Sequence, residues 1–192
     1  LTSHVRALPE GTVCFPEEPL LEVTAPIPEA QLVETVLVNQ LHSPTVIASR
    51  AARCVSVAGG RPLMEFGLRR APGADAGLKA ARSAYLAGFD ATSNVLAGRY
   101  YGIPIAGTMA HSFIHAFEDE GTAFRAYAEA FPSTATLLVD TYDTLAGTRI
   151  AAAVGQEMRA SGEQLRGVRL DSGDLIGLSF EVREILDAAG LT

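Results

Sequence analysis

The sequence has few of the features that mark disulfide-bonded, zinc-binding or membrane proteins. Its 192 residues include two cysteines, Cys14 and Cys54, and neither lies in a CxxC pair or near a histidine cluster. A zinc site is therefore not expected, and two isolated thiols suit a reducing compartment. No apolar run reaches the roughly 20 residues of a membrane span, and residues 1–9 do not resemble a signal peptide. These absences predict a cytoplasmic protein without a membrane partner.

Excess positive charge and the common phosphate-binding signatures are missing as well. The net charge is −7, which argues against general binding to nucleic acid but leaves room for a local anion pocket. The sequence contains neither GxGxxG nor a Walker A motif. Hydrophobic residues make up 48% of the chain and charged residues 19%, a composition typical of a globular protein with a buried core.

The pattern of apolar residues predicts alternating strands and helices after residue 59. Residues 1–28 indicate extended segments with turns, and 29–53 a helix that Pro44 breaks or kinks. Five strands are then predicted, at 63–69, 88–90, 103–106, 136–139 and 167–170. The helices between and after them are predicted at 74–87, 92–101, 122–131, 143–161 and 175–189.

This alternation predicts an α/β protein with a parallel sheet, either doubly wound or closed into a barrel. Polar clusters follow strand after strand, which favours a (β/α) barrel. Five strands are too few to close one. We therefore expect residues 1–58 to form part of a smaller α/β domain with linking helices, and residues 59–192 to form the first βα units of an incomplete barrel. The chain also lacks an initiator Met and is expected to be part of a longer protein.

Polar residues follow the predicted strands, at ends that parallel strands bring to one rim. An arginine there can bind a carboxylate or phosphate through two hydrogen bonds. If residues 63–69 form a strand, only one of Arg69 and Arg70 faces the site. Arg169 strengthens the case for anion binding, whereas a surface salt bridge is the alternative. The sequence alone thus indicates an enzyme for a small anionic, phosphorylated ligand.

Other candidates have structural alternatives. His111 is either a capping or structural residue, or a nucleophile or acid/base group that works near neutral pH. Asp140 and Asp171 can hold ribose hydroxyls, order a magnesium-bound diphosphate or stabilise a developing cation, and both positions also suit helix capping. Ser172 has the same ambiguity, since it can bind substrate or cap the last helix, whose first N–H groups would attract an anion. The other histidines are predicted to be structural or exposed.

Six segments together resemble the nicotinate phosphoribosyltransferase family. They occur in family order and cover nearly the whole chain: LPEGTV with PLLEV (8–13, 19–23), EFGLRR (65–70), GFDATSNVLAG (88–98), GTMAHSF (107–113), LVDTYD (138–143) and GVRLDSGD (167–174). The resemblance implies transfer of phosphoribosyl from phosphoribosyl diphosphate to nicotinate for NAD synthesis. It also implies coupled ATP hydrolysis and assistance by Mg²⁺.

The resemblance assigns roles to the candidates by position. His111 matches the histidine that ATP phosphorylates, and Arg169 matches an arginine that contacts the pyridine substrate. Arg69 falls where the family has a site arginine, and Ser112 lies beside the histidine and is expected to contact nicotinate. Asp140 and Asp171 would serve ribose and diphosphate. No residue is assigned as a resident metal ligand.

Family members are longer at both ends, and a partner subunit contributes an aromatic residue to the pyridine site, which implies a homodimer. This segment alone is therefore expected to be inactive or unstable. Three alternatives stay open at this point: a nicotinamide enzyme, a quinolinate enzyme, and a phosphosugar-binding barrel without turnover.

Overall fold

The computed structural model of the protein describes residues 4–191 and has a mixed α/β architecture. The chain divides into two compact units, which meet in sequence between Gly107 and Thr108. The predicted division into segments 1–58 and 59–192 stays a prediction. Within the described residues the strands form three two-stranded sheets, and none of these is closed.

The first unit contains a hairpin-like pair of strands, a long helix and two short βα segments. Its elements are β1 (His4–Ala7), β2 (Leu21–Thr24), α1 (Ile27–Ala58), β3 (Met64–Glu65), a 3-10 turn (Leu68–Arg70), α2 (Ala74–Leu86), β4 (Ala91–Thr92) and α3 (Val95–Tyr101). Strands β1 and β2 are antiparallel. Strands β3 and β4 are parallel.

Helix α1 is continuous through Pro44, so of the two predicted effects of this proline, a break or a kink, the break is wrong. Proline removes one hydrogen bond, to the carbonyl of the residue four positions earlier. That residue is Gln40, which is exposed, so water can solvate the freed carbonyl. The helix ends where Gly59 takes the left-handed conformation, with φ 59°, which glycine adopts without a steric penalty.

The predicted strand at 63–69 is much shorter in the structure, because a side chain ends it. The Glu65 carboxylate accepts a hydrogen bond from the backbone N–H of Gly67, which turns the chain into the 3-10 turn. Arg69 and Arg70 therefore lie in a turn and are both exposed. Successive residues of a strand point to opposite faces, but these two arginines do not lie in a strand. This alternation therefore does not decide which of them faces the site.

The next elements are shifted along the chain relative to their predicted positions. The predicted strand at 88–90 begins at Ala91, and the helix predicted from residue 92 begins at Val95. The reason for the later helix start is its cap, since the Asn94 side chain accepts a hydrogen bond from the N–H of Ala97. The predicted strand at 103–106 is reduced to a single parallel bridge between Thr92 and Ile105.

The second unit is a βα arrangement around two parallel strands. Its elements are α4 (His111–Ile114), α5 (Glu120–Ala130), β5 (Thr136–Leu138), α6 (Thr144–Ala160), β6 (Gly167–Arg169) and α7 (Leu175–Ala188). Strand β5 is fully buried in its last two residues, as its continuous apolar run predicts. Its core includes Phe124 of α5, Ile114 of α4 and Val154 of α6, none of them more than 1% exposed.

Among the helices that the structure describes, we found none that combines the length and the apolar character of a membrane span.

Candidate active site

The carboxyl ends of β5 and β6 bring five of the predicted site residues together, His111, Asp140, Arg169, Asp171 and Ser172. The parallel register pairs Leu138 with Arg169, so the residues that follow the two strands also lie next to each other. Asp140 follows β5 and Asp171 follows β6, as expected of parallel strands whose ends share one edge. His111 and Thr108 reach the same place from the segment that leads into α4.

Arg169 is held in place by hydrogen bonds from its guanidinium group to three acceptors. One terminal nitrogen lies 2.6 Å from the Thr108 hydroxyl oxygen and 3.4 Å from the Met109 carbonyl oxygen. The other lies 2.6 Å from Asp171 Oδ1. The side chain of Arg169 remains 25% exposed, so its guanidinium is oriented and still within reach of a ligand.

Asp171 links Arg169 to His111. Its Oδ2 atom lies 3.6 Å from Nε2 of His111, while its Oδ1 accepts the hydrogen bond from Arg169. The hydrogen bond from Arg169, the guanidinium charge and His111 together hold the pKa of Asp171 below its usual value, against the opposing effect of burial. Asp171 is therefore ionised at neutral pH, as a carboxylate that orients a histidine must be.

His111 contacts the site through both ring nitrogens. Nδ1 lies 3.1 Å from the hydroxyl oxygen of Thr141, and Nε2 faces the Asp171 carboxylate. A carboxylate only accepts hydrogen bonds, so its position favours the neutral tautomer that carries the proton on Nε2 and the lone pair on Nδ1. A histidine with this tautomer, oriented by a carboxylate, is equipped to act as a nucleophile.

Asp140 orders the loop that follows β6. Its Oδ2 accepts hydrogen bonds from the Asp171 N–H at 3.0 Å and from the Ser172 hydroxyl at 2.6 Å. Its Oδ1 is buried and has no hydrogen-bond partner among the described residues. The two predicted carboxylates thus belong to one hydrogen-bonded group.

The capping alternatives for these residues are wrong, because other side chains cap the helices. Asp143 accepts from Ala146 N–H at 2.7 Å and caps α6. Asp174 caps α7 by accepting from the N–H groups of Ile176 and Gly177, each at 3.2 Å. The Asp174 carboxylate accepts from two of the N–H groups at the start of α7, and the attraction of an anion to this helix start stays a prediction.

Two predicted site residues are not part of this hydrogen-bonded group. Ser112 is exposed beside His111 in α4, and Arg69 lies in the other compact unit. Their roles stay predictions. The histidines at positions 4, 42 and 115 are exposed, as predicted. His115 also lies 3.1 Å from the Tyr142 hydroxyl oxygen through its Nδ1 atom.

Sequence reasoning missed the two hydroxyl groups that complete the site, Thr108 and Thr141. Both stand inside segments that the sequence had singled out, 107–113 and 138–143. Their positions within these two segments were the available signal. Only the fold shows that Thr108 contacts Arg169 and that Thr141 contacts His111. Within residues 4–191 no group of three or more His, Cys, Asp or Glu side chains could hold a metal ion.

The lowered pKa of Asp171 predicts how its contribution to stability depends on pH. Its ion pair with Arg169 stabilises the fold above the unfolded-state pKa of about 3.9 and loses that effect as the pH falls through the lower folded-state pKa. We therefore expect Asp171→Asn to destabilise the full-length protein at pH 7, with a difference from wild type that shrinks toward pH 3. Urea unfolding of both proteins between pH 3 and 7 measures this difference. A difference that stays constant over this range would contradict it.

Fold and site together define an α/β protein with an oriented arginine, a histidine beside a carboxylate and a second carboxylate at the ends of adjacent parallel strands. The model of the nicotinate phosphoribosyltransferase (NAPRTase) family matches residues 62–189. The chain belongs to this family, which confirms the resemblance seen in the six segments.

Relatives with that name occur in distant organisms. The chain is 55% identical over 194 aligned residues to a nicotinate phosphoribosyltransferase of Mycobacterium tuberculosis. It is 47% identical over 189 residues to the Bacillus subtilis protein of the same name. These alignments cover 99% and 97% of this chain, but 41% and 38% of the respective relatives. The chain thus spans about 40% of the length of these relatives.

Solved structures show the same relationship. Human nicotinic acid phosphoribosyltransferase matches with a TM-score of 0.85 and 36% identity, over 98% of this chain and 47% of that one. The nicotinate-nucleotide pyrophosphorylase of Pyrococcus furiosus matches with a TM-score of 0.88 and 30% identity, over 98% of this chain and 49% of that one.

Proposed function

We propose that the full-length protein carrying this chain transfers phosphoribosyl from phosphoribosyl diphosphate to nicotinate, with coupled ATP hydrolysis. The products are nicotinate mononucleotide and diphosphate, and the reaction supplies NAD synthesis. The observation that carries the proposal is the connected group of Arg169, Asp171 and His111, which combines anion recognition with an oriented nucleophile. The names of the relatives support the choice of nicotinate.

Arg169 is suited to the carboxylate of nicotinate. A guanidinium group matches a planar carboxylate in geometry and charge. The contacts with Thr108 and Asp171 fix its orientation before substrate arrives, which lowers the entropy cost of binding. Nicotinamide lacks the negative charge that this arrangement favours. The proposed selectivity is therefore for the acid over the amide.

His111 would accept the terminal phosphoryl group of ATP. Its Nδ1 lone pair attacks the γ-phosphorus, the bond from that phosphorus to the bridging oxygen breaks, and ADP leaves. Asp171 favours the tautomer with the proton on Nε2, and the phosphoryl group would displace the Thr141 hydroxyl, which lies 3.1 Å from Nδ1. Hydrolysis of the phosphohistidine then returns the enzyme to its starting state.

The two carboxylates are suited to the ribosyl centre. Loss of diphosphate leaves positive charge on the anomeric carbon, and nearby fixed negative charges stabilise it. Asp140 and Asp171 are positioned by hydrogen bonds, so this stabilisation needs little reorganisation. Mg²⁺ would arrive bound to the diphosphate oxygens of the substrate and would offset part of their negative charge.

In the full-length protein, the chain would belong to a larger fold and assembly. We place the described βα segments in a (β/α) barrel that the rest of the chain would complete, and we place Arg69 and Ser112 at its substrate site. A homodimer in the cytoplasm is proposed as well. Support for the compartment comes from Cys14 and Cys54, which are both unpaired cysteines in the structure.

The test is an assay of the full-length protein with phosphoribosyl diphosphate, Mg²⁺ and ATP, with nicotinate, nicotinamide and quinolinate supplied in parallel. We expect mononucleotide from nicotinate and stimulation by ATP. The variant His111→Ala should lose the ATP stimulation, whereas His115→Ala, one helical turn further on and exposed, should keep it. Product from another base would change the proposed substrate. No product from any base would refute the enzyme and favour a phosphosugar-binding protein.

A further inference from the structure

Glu120 is a buried acidic residue for which the proposed reaction has no role so far. It is the first residue of α5 and is 7% exposed. Its side chain is directed at the first turn of α6 and the end of β5. A Cβ atom added to Gly147 would lie 3.2 Å from both carboxylate oxygens of Glu120 and 2.3 Å from the carbonyl oxygen of Val139. The Glu120 carboxyl group and the Val139 carbonyl oxygen therefore both lie close to Gly147, and Val139 is the residue that precedes Asp140.

Two side-chain oxygens in the described part of the chain are buried without a hydrogen-bond partner, Glu120 Oε1 and Asp140 Oδ1. Two ionised carboxylates cannot satisfy each other, because both only accept hydrogen bonds. A carboxyl group that carries a proton becomes a donor, so a single proton can serve both oxygens. Leaving two buried acceptors unsatisfied would instead cost the full desolvation penalty of each.

The surroundings of Glu120 favour its protonated form. Burial raises its pKa, and the negative charges of Asp140 and Asp143 raise it further. Asp140 follows the end of β5, and Asp143 caps α6. An ionised Glu120 would add a third negative charge to this region, whereas neutral Glu120 leaves Asp140 as an anion with a fixed orientation.

We propose that Glu120 is a positioning residue, which carries the proton that binds Asp140 Oδ1 and thereby fixes the carboxylate that orders Asp171 and Ser172. The connection runs from Glu120 through Asp140 Oδ1 to Asp140 Oδ2, and from there to the Asp171 N–H and the Ser172 hydroxyl. Loss of the donor frees the Asp140 side chain to rotate, and both of these hydrogen bonds weaken. Glu120 itself touches no substrate in this proposal.

Two substitutions separate this role from a merely structural one. Glu120→Gln keeps a hydrogen-bond donor of the same shape, and Glu120→Ala removes it. In the full-length protein, we expect Glu120→Ala to raise KM for phosphoribosyl diphosphate by about tenfold to a hundredfold, the effect of losing a hydrogen bond to a charged group. KM for nicotinate should change little, and Glu120→Gln should stay within about threefold of wild type, well below that loss.

The pH dependence of the affinity for phosphoribosyl diphosphate is a measurement that a purely structural role of Glu120 would not change. Since protonated Glu120 is the active form, wild type should lose affinity for phosphoribosyl diphosphate as the pH rises through the raised pKa of Glu120. The Gln variant should lack this alkaline loss. An infrared band of a protonated buried carboxyl group should be present in wild type and absent from the Gln variant, whatever the enzyme catalyses.

The kinetic tests of Glu120 rest on the proposed function, but the positioning role of Glu120 and the proposed function can fail separately. Wild type without any mononucleotide product refutes the function, and the infrared band still tests the proton on Glu120. Active wild type with equal losses in the Gln and Ala variants would overturn the positioning role, since a neutral donor would then not suffice. Variants that lower only the melting temperature, with unchanged KM, would overturn it as well.

Discussion

Replacing Arg169 by alanine is expected to lower kcat/KM for nicotinate by about a hundredfold in the full-length enzyme, the scale of a lost charge-assisted pair. The guanidinium is the proposed partner of the nicotinate carboxylate, and its removal also takes away the hydrogen bond and the positive charge that lower the pKa of Asp171. Arg169→Lys should recover only part of the loss, since an ammonium group cannot bind a carboxylate through two parallel hydrogen bonds.

The matched control is Arg166→Ala, which removes an exposed arginine three residues earlier on the same segment and should change kcat/KM by less than about twofold. Steady-state kinetics with nicotinate as the varied substrate measures all three variants, and circular dichroism checks that each is folded. A folded Arg169→Ala enzyme with normal KM and kcat for nicotinate would remove Arg169 from the substrate site.

Gly147→Ala is expected to destabilise the protein by about 3 kcal/mol, because the site leaves no room for a methyl group. The added Cβ would lie 2.3 Å from the Val139 carbonyl oxygen, a backbone atom that the buried strand β5 holds in place. The gain in helix propensity from alanine, about 1 kcal/mol, is too small to offset the clash.

Gly121→Ala in α5 is the control for this substitution. Its nearest neighbours would be side-chain atoms, at 3.2 Å for Asp119 Oδ1, 3.3 Å for Ile150 Cγ2 and 3.4 Å for an Arg125 terminal nitrogen. These groups can move by a few tenths of an ångström, so we expect a change within about 1 kcal/mol of wild type. Urea unfolding of the full-length variants measures both changes. Equal stabilities for the two would show that the contact at Gly147 is relieved by a backbone shift.

The sequence predicted the second unit better than the first. Strands β5 and β6 begin at the predicted residues. For β5 the signal was a short apolar run, which is typical of a buried strand. The strand at 63–69 and the helix from residue 92 were misplaced, because single side chains, Glu65 and Asn94, decide where those elements end or begin. Propensity and periodicity do not register one hydrogen bond of this kind.

The candidate site was predictable in part. Chemistry-bearing residues at strand ends pointed to His111, Asp140, Asp171 and Arg169, since parallel strands place such ends along one edge. Thr108, Thr141 and Glu120 escaped notice. Hydroxyl groups and helix-start glutamates are common in any sequence, and the residues beside which these three lie, Arg169, His111 and Gly147, are tens of residues away along the chain.

The sequence by itself determined the family, the α/β class and the identity of the charged groups, because each of these depends on residue types in a fixed order. Tertiary structure alone decided which carboxylates orient other groups and which cap helices. Asp140 and Asp143 are three residues apart and chemically identical, yet one accepts hydrogen bonds from the loop after β6 and the other caps α6. A carboxylate takes its role from the donors within about 3 Å of its oxygens, and those donors come from distant parts of the chain.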